Sequence, residues 1–261
     1  KILLNLLIIE IMMTYEQLEV LLSRLRLQRY LDAVQDKEKA LLLYGYNIQL
    51  SQQLFAMISM FEVVLRNKIN QCMQTHTGIN NWLHQAIQKG GMFHHADCEY
   101  CKNCIVEAIK KLEKRKENAT SHDKLLAELN FGFWRYLFES AQFKATGRIL
   151  LKIVPQRPKS TREQHYNQKW FAKELKKINE LRNRIAHHET ICMYKKGAET
   201  FISTQRTEKV YQTILNLLDY MDIDSNELLK YLNIDSKNIF EICNNINKLN
   251  ISGSLKQYLE R

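Results

Sequence analysis

Residues 50–72 read LSQQLFAMISMFEVVLRNKINQC, with Leu50, Leu54, Met57, Phe61, Leu65, Ile69 and Cys72 recurring every three or four positions. That is the period of an α-helix with one buried face. The pattern extends in both directions, from about Asp36 to Gly78, and predicts one long core helix. The rest of the chain is punctuated as sparsely, with eight glycines and two prolines in 261 residues. So few breakers favour helices over many short strands, and the fold class expected is all-α.

Before the long helix, Thr14 to Ala33 reads as one amphipathic helix with a capping box at Thr14 and Gln17 and a stripe of Leu18, Leu21, Leu22 and Leu25. After it, Cys104 to Lys116 and Asp123 to Glu128 read as helical, and Phe131-Gly132-Phe133-Trp134 interrupts the pattern before Leu137 and Phe138 resume it. Both prolines lie in the basic connection Val154-Pro155-Gln156-Arg157-Pro158. Ser160 with Glu163 forms a second capping box, from which a helix can run to about Glu189 on a stripe of Phe171, Leu175, Ile178 and Ile185, with Leu181 alongside. Residues 190–204 predict a loop or short hairpin around Gly197, followed by helices near Thr207 to Met221, Asn226 to Leu232 and Ser236 to Leu249.

The composition, 45% hydrophobic and 25% charged, is that of a globular protein. Its net charge of +10 and pI near 9.2 suit a polyanionic partner. The charge is concentrated between Lys144 and Arg184, where twelve Lys and Arg, among them Arg157, Lys159, Arg162 and Arg184, face Glu163, Glu174 and Glu180. These four are the candidate contacts to such a polyanion, RNA under the resemblance drawn below. The N-terminal KILLNLLIIEIMM resembles a signal core, but Asn5 and Glu10 interrupt it, no small-residue cleavage site follows, and it is too short to span a bilayer. Met12 or Met13 is a candidate initiator; the alternative is an apolar arm packed on the core. Six cysteines in a chain of this length do not read as a disulfide framework, so a reducing cytoplasm is the expected compartment, with no membrane partner.

Three constellations carry candidate chemistry. In Leu181-Arg182-Asn183-Arg184-Ile185-Ala186-His187-His188-Glu189, Asn183 and His187 share a helix face, and Arg182 stands where the apolar stripe is due to continue. A guanidinium placed there asks for a partner or an anionic ligand. Alternatively its stem packs while its head escapes to solvent or pairs with a carboxylate. In Phe61-Glu62-Val63-Val64-Leu65-Arg66-Asn67, the surroundings are apolar nearly all round, so Glu62 and Arg66 form a charged island. It is either a structural ion pair or one half of a polar site shared with Arg182. In the third, Cys98, Cys101 and Cys104 with His94 have the donor atoms for zinc, but the second half of a usual zinc motif is missing; the alternative is a loop of free cysteines. No glycine-rich phosphate loop, HExxH or GxSxG is present, which removes the commonest hydrolase and nucleotidase readings.

The stretch LRNRIAHHE at 181–189 is similar to the signature of the Abi-like (abortive infection) proteins, a bacterial branch of the HEPN superfamily. FEVVLRN at 61–67, FGFWRYLF at 131–138 and the start from Tyr15 to Tyr30 resemble the same family in the same order. The bare Arg-x4–6-His pattern is also met by Arg115 and His122, but in a polar stretch without core context; Thr190 departs from the proline expected after His-His-Glu. The resemblance spans most of residues 14–191 and implies a HEPN-like antiparallel helical bundle, expected as a core at 14–205; the residues themselves add extra N- and C-terminal helices, with an apolar extension at 1–13 and a C-terminal helical extension at 206–261 packed on the core. It further implies a homodimer that cleaves RNA without a metal or other cofactor, in phage defence or as a toxin with an antitoxin or small-RNA partner. Arg182 and His187 would be catalytic with Asn183, supported by Glu62, Arg66, Asn67 and His188. An imidazole of near-neutral pKa can move a proton at the ribose 2′-OH or the leaving oxygen, and a guanidinium can stabilise the phosphorane. A non-catalytic RNA-binding module and a toxin–antitoxin interaction protein remain the alternatives.

Overall fold

A computed structural model describes residues 13–197, 199–234 and 236–249. The expected apolar extension at 1–13 lies, Met13 excepted, outside the described residues, as does the end of the chain from 250. In chain order the helices are α1 (Tyr15–Leu22), α2 (Arg24–Val34), α3 (Lys37–Thr77), α4 (Trp82–Ala86), α5 (Glu99–Lys114), α6 (His122–Glu128), α7 (Phe131–Tyr136), α8 (Ser140–Ala145) and α9 (Gln168–Ala186). A hairpin of β1 (Met193–Lys196) and β2 (Glu199–Ile202) follows, then α10 (Gln205–Tyr220), α11 (Ser225–Tyr231) and α12 (Ser236–Lys248). The fold is all-α with one small antiparallel sheet, as the period and the scarcity of breakers predict.

Several boundaries differ from expectation, each for a local reason. Thr14 does make its capping box with Gln17. The helix it opens ends early, because Ser23 turns to φ 70° and its hydroxyl caps the next helix at Arg26 N–H. The expected Leu18–Leu25 stripe is therefore not the buried one: Leu21 and Leu25 are exposed, while Tyr15, Leu27, Tyr30 and Val34 are buried. Phe131–Trp134 is itself helical, started by the Asn130 side chain accepting Phe133 N–H at 3.2 Å. Nor does Ser160 open a helix, since its hydroxyl accepts Tyr166 N–H at 3.0 Å within an irregular connection. The cap of α9 is Asn167, whose Oδ1 accepts from Lys169 N and Trp170 N at 3.0 and 3.2 Å.

The chain forms two compact units. One includes the described residues 13–52, 190–197, 199–206 and 237–249. Its described core includes Leu27, Tyr30, Leu43, Leu50, Cys192 and Ile246, with the Tyr30 and Tyr44 rings edge-on at 5.2 Å. Asn47, 5% exposed, accepts Ile191 N–H at 2.8 Å and lies 3.4 Å from Cys192 Sγ, fixing the approach to the hairpin. The hairpin pairs Met193 with Ile202 through Lys196 with Glu199, and Gly197 supplies the positive φ (63°) of its turn.

The other unit comprises residues 53–189 and 207–236. Leu54, Met57, Phe61, Leu65, Ile69 and Met73 of α3 are fully buried, as are Phe171, Leu175 and Ile178 of α9. α7 joins them: the Phe61 and Phe131 rings lie 6.2 Å apart, and Phe138, just beyond α7, lies 4.5 Å from Phe171. The FEVVLRN stretch is not buried all round, because Phe55 and Val63 on one face of α3 are 44% and 43% exposed. α3 is also long and apolar enough by length and composition to cross a bilayer, with mean hydropathy 1.4 over an 18-residue window. Core helices share that property, and here the period-3.6 stripe of α3 is used for burial in the fold.

Candidate active site at the end of the ninth helix

The site grows from the way α9 stops. Asn183 O accepts His187 N–H at 2.9 Å, Ile185 O accepts His188 N–H at 2.9 Å, and Arg184 O accepts Glu189 N–H at 2.8 Å. With His188 at φ 55°, this is a Schellman arrangement in which histidine takes the left-handed place usual for glycine. Histidine is one of the residues enriched in that region, although the conformation still carries strain. The tandem histidines thereby acquire separate roles: His187 caps the helix with its ring exposed, and His188 reverses the chain. Arg184 lies 3.3 Å from the Glu189 carboxylate across the same turn.

Arg182 is half-buried, flanked by the buried Leu181 and Ile185. Among the described residues its guanidinium has neither a hydrogen bond nor a salt bridge. It does lie within Coulombic reach of Glu62 on α3. Burial pushes the half-buried Glu62 carboxyl above its ordinary value; the charges of Arg182 and Arg66 and the Phe131 backbone N–H at the start of α7 pull it partly back. The two charged islands expected from the sequence are therefore electrostatic neighbours, and the third matching segment contributes its helix start. Arg66 Nε donates to Asn67 Oδ1 at 3.5 Å, and Asn67 is exposed.

Asn183 and His187 share the exposed face, but no hydrogen bond joins their side chains among the described residues. Arg182 and His187 are five residues apart, about 140° around an ideal helix, so in one chain they leave the helix on diverging faces. Of the expected RNA contacts, Lys159 and Arg162 are exposed, whereas Arg157 spends its guanidinium on the carbonyls of Leu151 and Val154 at 3.1 and 3.2 Å. A cavity of about 510 Å³ opens elsewhere on α3, at Lys68, Cys72, His76 and Lys152. His187 is exposed and Arg182 half-buried.

The decoy pair resolves into structure. Arg115 binds the carboxylates of Glu117 and Glu128 at 2.8 and 2.6 Å, and His122 Nε2 lies 2.8 Å from Asn70 Oδ1. Among the described residues no three His, Cys, Asp or Glu side chains, those of the cysteine cluster included, converge to hold an ion. His94 is exposed, Cys98 and Cys101 are buried, and burial raises the pKa of all three thiols. Sequence reasoning missed Asn47, a lone polar residue on an apolar helix. It also missed an aromatic cluster at the start of α9, although Tyr166 and Trp170 stand four residues apart.

No curated protein and no solved structure matches the chain. A family-wide profile, described as that of Abi-like proteins, matches residues 14–192, from the capping residue of α1 to just beyond the turn that carries His187 and His188. Covering more than half of the chain and every segment that builds this site, the match shows that the chain belongs to the Abi-like protein family.

Proposed function

We propose that the chain is a metal-independent endoribonuclease of the HEPN type, serving abortive infection in phage defence or acting as a toxin. The family is associated with abortive infection. The observation that carries the enzymatic reading is Arg182: a half-buried guanidinium without a hydrogen-bonding partner among the described residues, within Coulombic reach of Glu62 and five residues before an exposed imidazole. Such a group is ready for a phosphate, which offers several acceptor oxygens to its fork of donors.

In this reading the substrate's 2′-oxygen bonds to the adjacent phosphorus while the P–O5′ bond breaks, leaving a 2′,3′-cyclic phosphate and a 5′-hydroxyl. His187 takes the 2′-OH proton or gives one to the leaving oxygen, and Arg182 stabilises the phosphorane. The requirement for a 2′-OH makes RNA the substrate. Because Arg182 and His187 leave the helix on diverging faces, a second copy is assigned the complementary role, and the exposed Phe55 and Val63 on α3 offer apolar surface for such a homodimer. An antitoxin or small RNA would be a further partner. The same divergence of faces favours a second reading, an RNA-binding module that does not cut.

Purified protein incubated with total RNA in EDTA tests both. Cleavage giving cyclic phosphate ends, lost by about 100-fold or more in Arg182→Ala and His187→Ala, is expected, with light scattering reporting a dimer. RNA retarded but uncut points to the binding module, and equal cleavage by the parent and both variants refutes this site.

A further inference from the structure

At the opposite end of α9 from His187, Tyr166, Trp170 and Tyr220 border a pocket of about 230 Å³ completed by Gln164, Glu174, Thr213, Asn216 and Leu217. The Tyr166 and Trp170 rings meet edge to face at 4.9 Å, and Trp170 and Tyr220 are 6.2 Å apart. All three are half-buried, so their rings remain partly accessible. The polar groups are partly engaged. Glu174, 8% exposed, holds Lys177 Nζ at 2.7 and 2.9 Å. Asn216 Oδ1 accepts Gln212 Nε2 at 2.9 Å, which leaves its amide N–H groups as donors; Gln164 Nε2 donates to His165 O at 3.4 Å, which leaves its oxygen as an acceptor.

From this pocket a stripe leads along the exposed face of α9. Lys169, Lys173, Lys176, Glu180, Asn183 and His187 follow at helical spacing, and the three lysines, Asn183 and His187 are exposed. From Trp170 to His187 the helix rises about 25 Å, which is about seven nucleotides at the 3.4 Å spacing of a stacked strand and fewer when the strand is extended.

We infer that this aromatic pocket is a nucleobase subsite for single-stranded RNA, with the lysine stripe carrying backbone phosphates between it and His187. Aromatic faces interleaved with a basic track are the means by which proteins hold single strands, and an available amide donor and acceptor match a base edge. An aromatic pocket with a carboxylate also suits an organic cation. That ligand is disfavoured here because Lys177 already neutralises Glu174, and the exposed Lys169 and Lys173 are the chain neighbours of Trp170 and Glu174. The inference rests on the proposed action on RNA and adds where the strand is gripped.

The test uses a fluorescein-labelled 2′-O-methyl oligoribonucleotide, which cannot be cleaved for want of an attacking 2′-OH. Trp82 and Trp134 are fully buried, so quenching of protein emission reports on Trp170. Saturable quenching is expected, with anisotropy showing roughly 5- to 150-fold weaker binding by Trp170→Leu, from the usual worth of one base–aromatic stack, and most of it regained in Trp170→Phe. If circular dichroism shows Trp170→Leu unfolded, Asn216→Leu replaces it with the same expectation of weakened binding. Absence of quenching, parent-like binding by a folded Trp170→Leu or Asn216→Leu, or equal quenching by choline overturns the inference. Binding that depends on Trp170 without cleavage of ordinary RNA would refute the ribonuclease and leave the pocket standing; cleavage with Trp170-independent binding would do the reverse.

Discussion

Replacing Arg182 with methionine separates a residue kept for function from one kept for folding. The guanidinium makes no hydrogen bond or salt bridge among the described residues, so the variant forfeits only its longer-range attraction to Glu62. Both groups are half-exposed, and solvent screening holds such a contribution below about 1 kcal/mol. Against this, Arg182 lies among the buried Leu181, Ile185 and Ile178, where an apolar methionine gains about 0.8 kcal/mol for each methylene withdrawn from water. The two effects oppose each other at similar size, and the net change is expected within about 1 kcal/mol of zero, or about 2–4 °C in Tm for a chain of this size. Loss of a preorganised cation at the phosphorane costs roughly 100- to 1,000-fold in rate. Thermal unfolding and RNA cleavage are measured on the same preparation. A fall in Tm beyond about 8 °C would show that the guanidinium holds the fold together; an unchanged melt with parent-like cleavage would show that it serves neither purpose.

Glu62→Gln is expected to flatten the pH dependence of stability. Because the folded carboxyl is raised above 4.5, stability is fully present below that pH and is lost as pH rises through the folded value; Gln removes that slope, and melts from about pH 4 to pH 7 check it, identical slopes contradicting the assignment. Asn47→Ala removes the Oδ1 that accepts the Ile191 N–H at 2.8 Å and should destabilise by about 1–3 kcal/mol in urea titrations, whereas a change near zero would mean that another acceptor replaces the amide. Cys101, fully buried with its thiol pushed up by desolvation, should react with a disulfide reagent only after unfolding, and chelator should leave the melt unmoved; rapid native labelling or a chelator-induced shift would revive a metal role for the cluster.

The long α3 was legible because a helix repeats its burial decision every turn, and Leu50 to Ile69 record it six times over. Boundaries were less legible because caps compete. Ser160-Thr161-Arg162-Glu163 has the composition of a helix start, but its hydroxyl is drawn to Tyr166 N–H, while Asn167 offers one oxygen to two orphan donors of α9. Ser23 carries no breaker signal at all, and the burial of Leu27 and Tyr30 rather than Leu21 and Leu25 goes with the break there.

The candidate site divides in the same way. Arg182 stood out because it violates a periodic stripe, and Glu62 because it charges an apolar one; each anomaly is local and readable. Their mutual approach joins residues far apart in sequence and depends on how α3, α7 and α9 pack, which no local period encodes. The aromatic pocket shows the limit from the other side. Tyr166 and Trp170 are spaced for one helical face, yet Tyr220 arrives from α10, so the sequence shows two walls of a pocket whose third exists only once the chain has folded. Local anomalies thus mark where chemistry is costly to keep, and tertiary packing decides which of those marks are joined into a site.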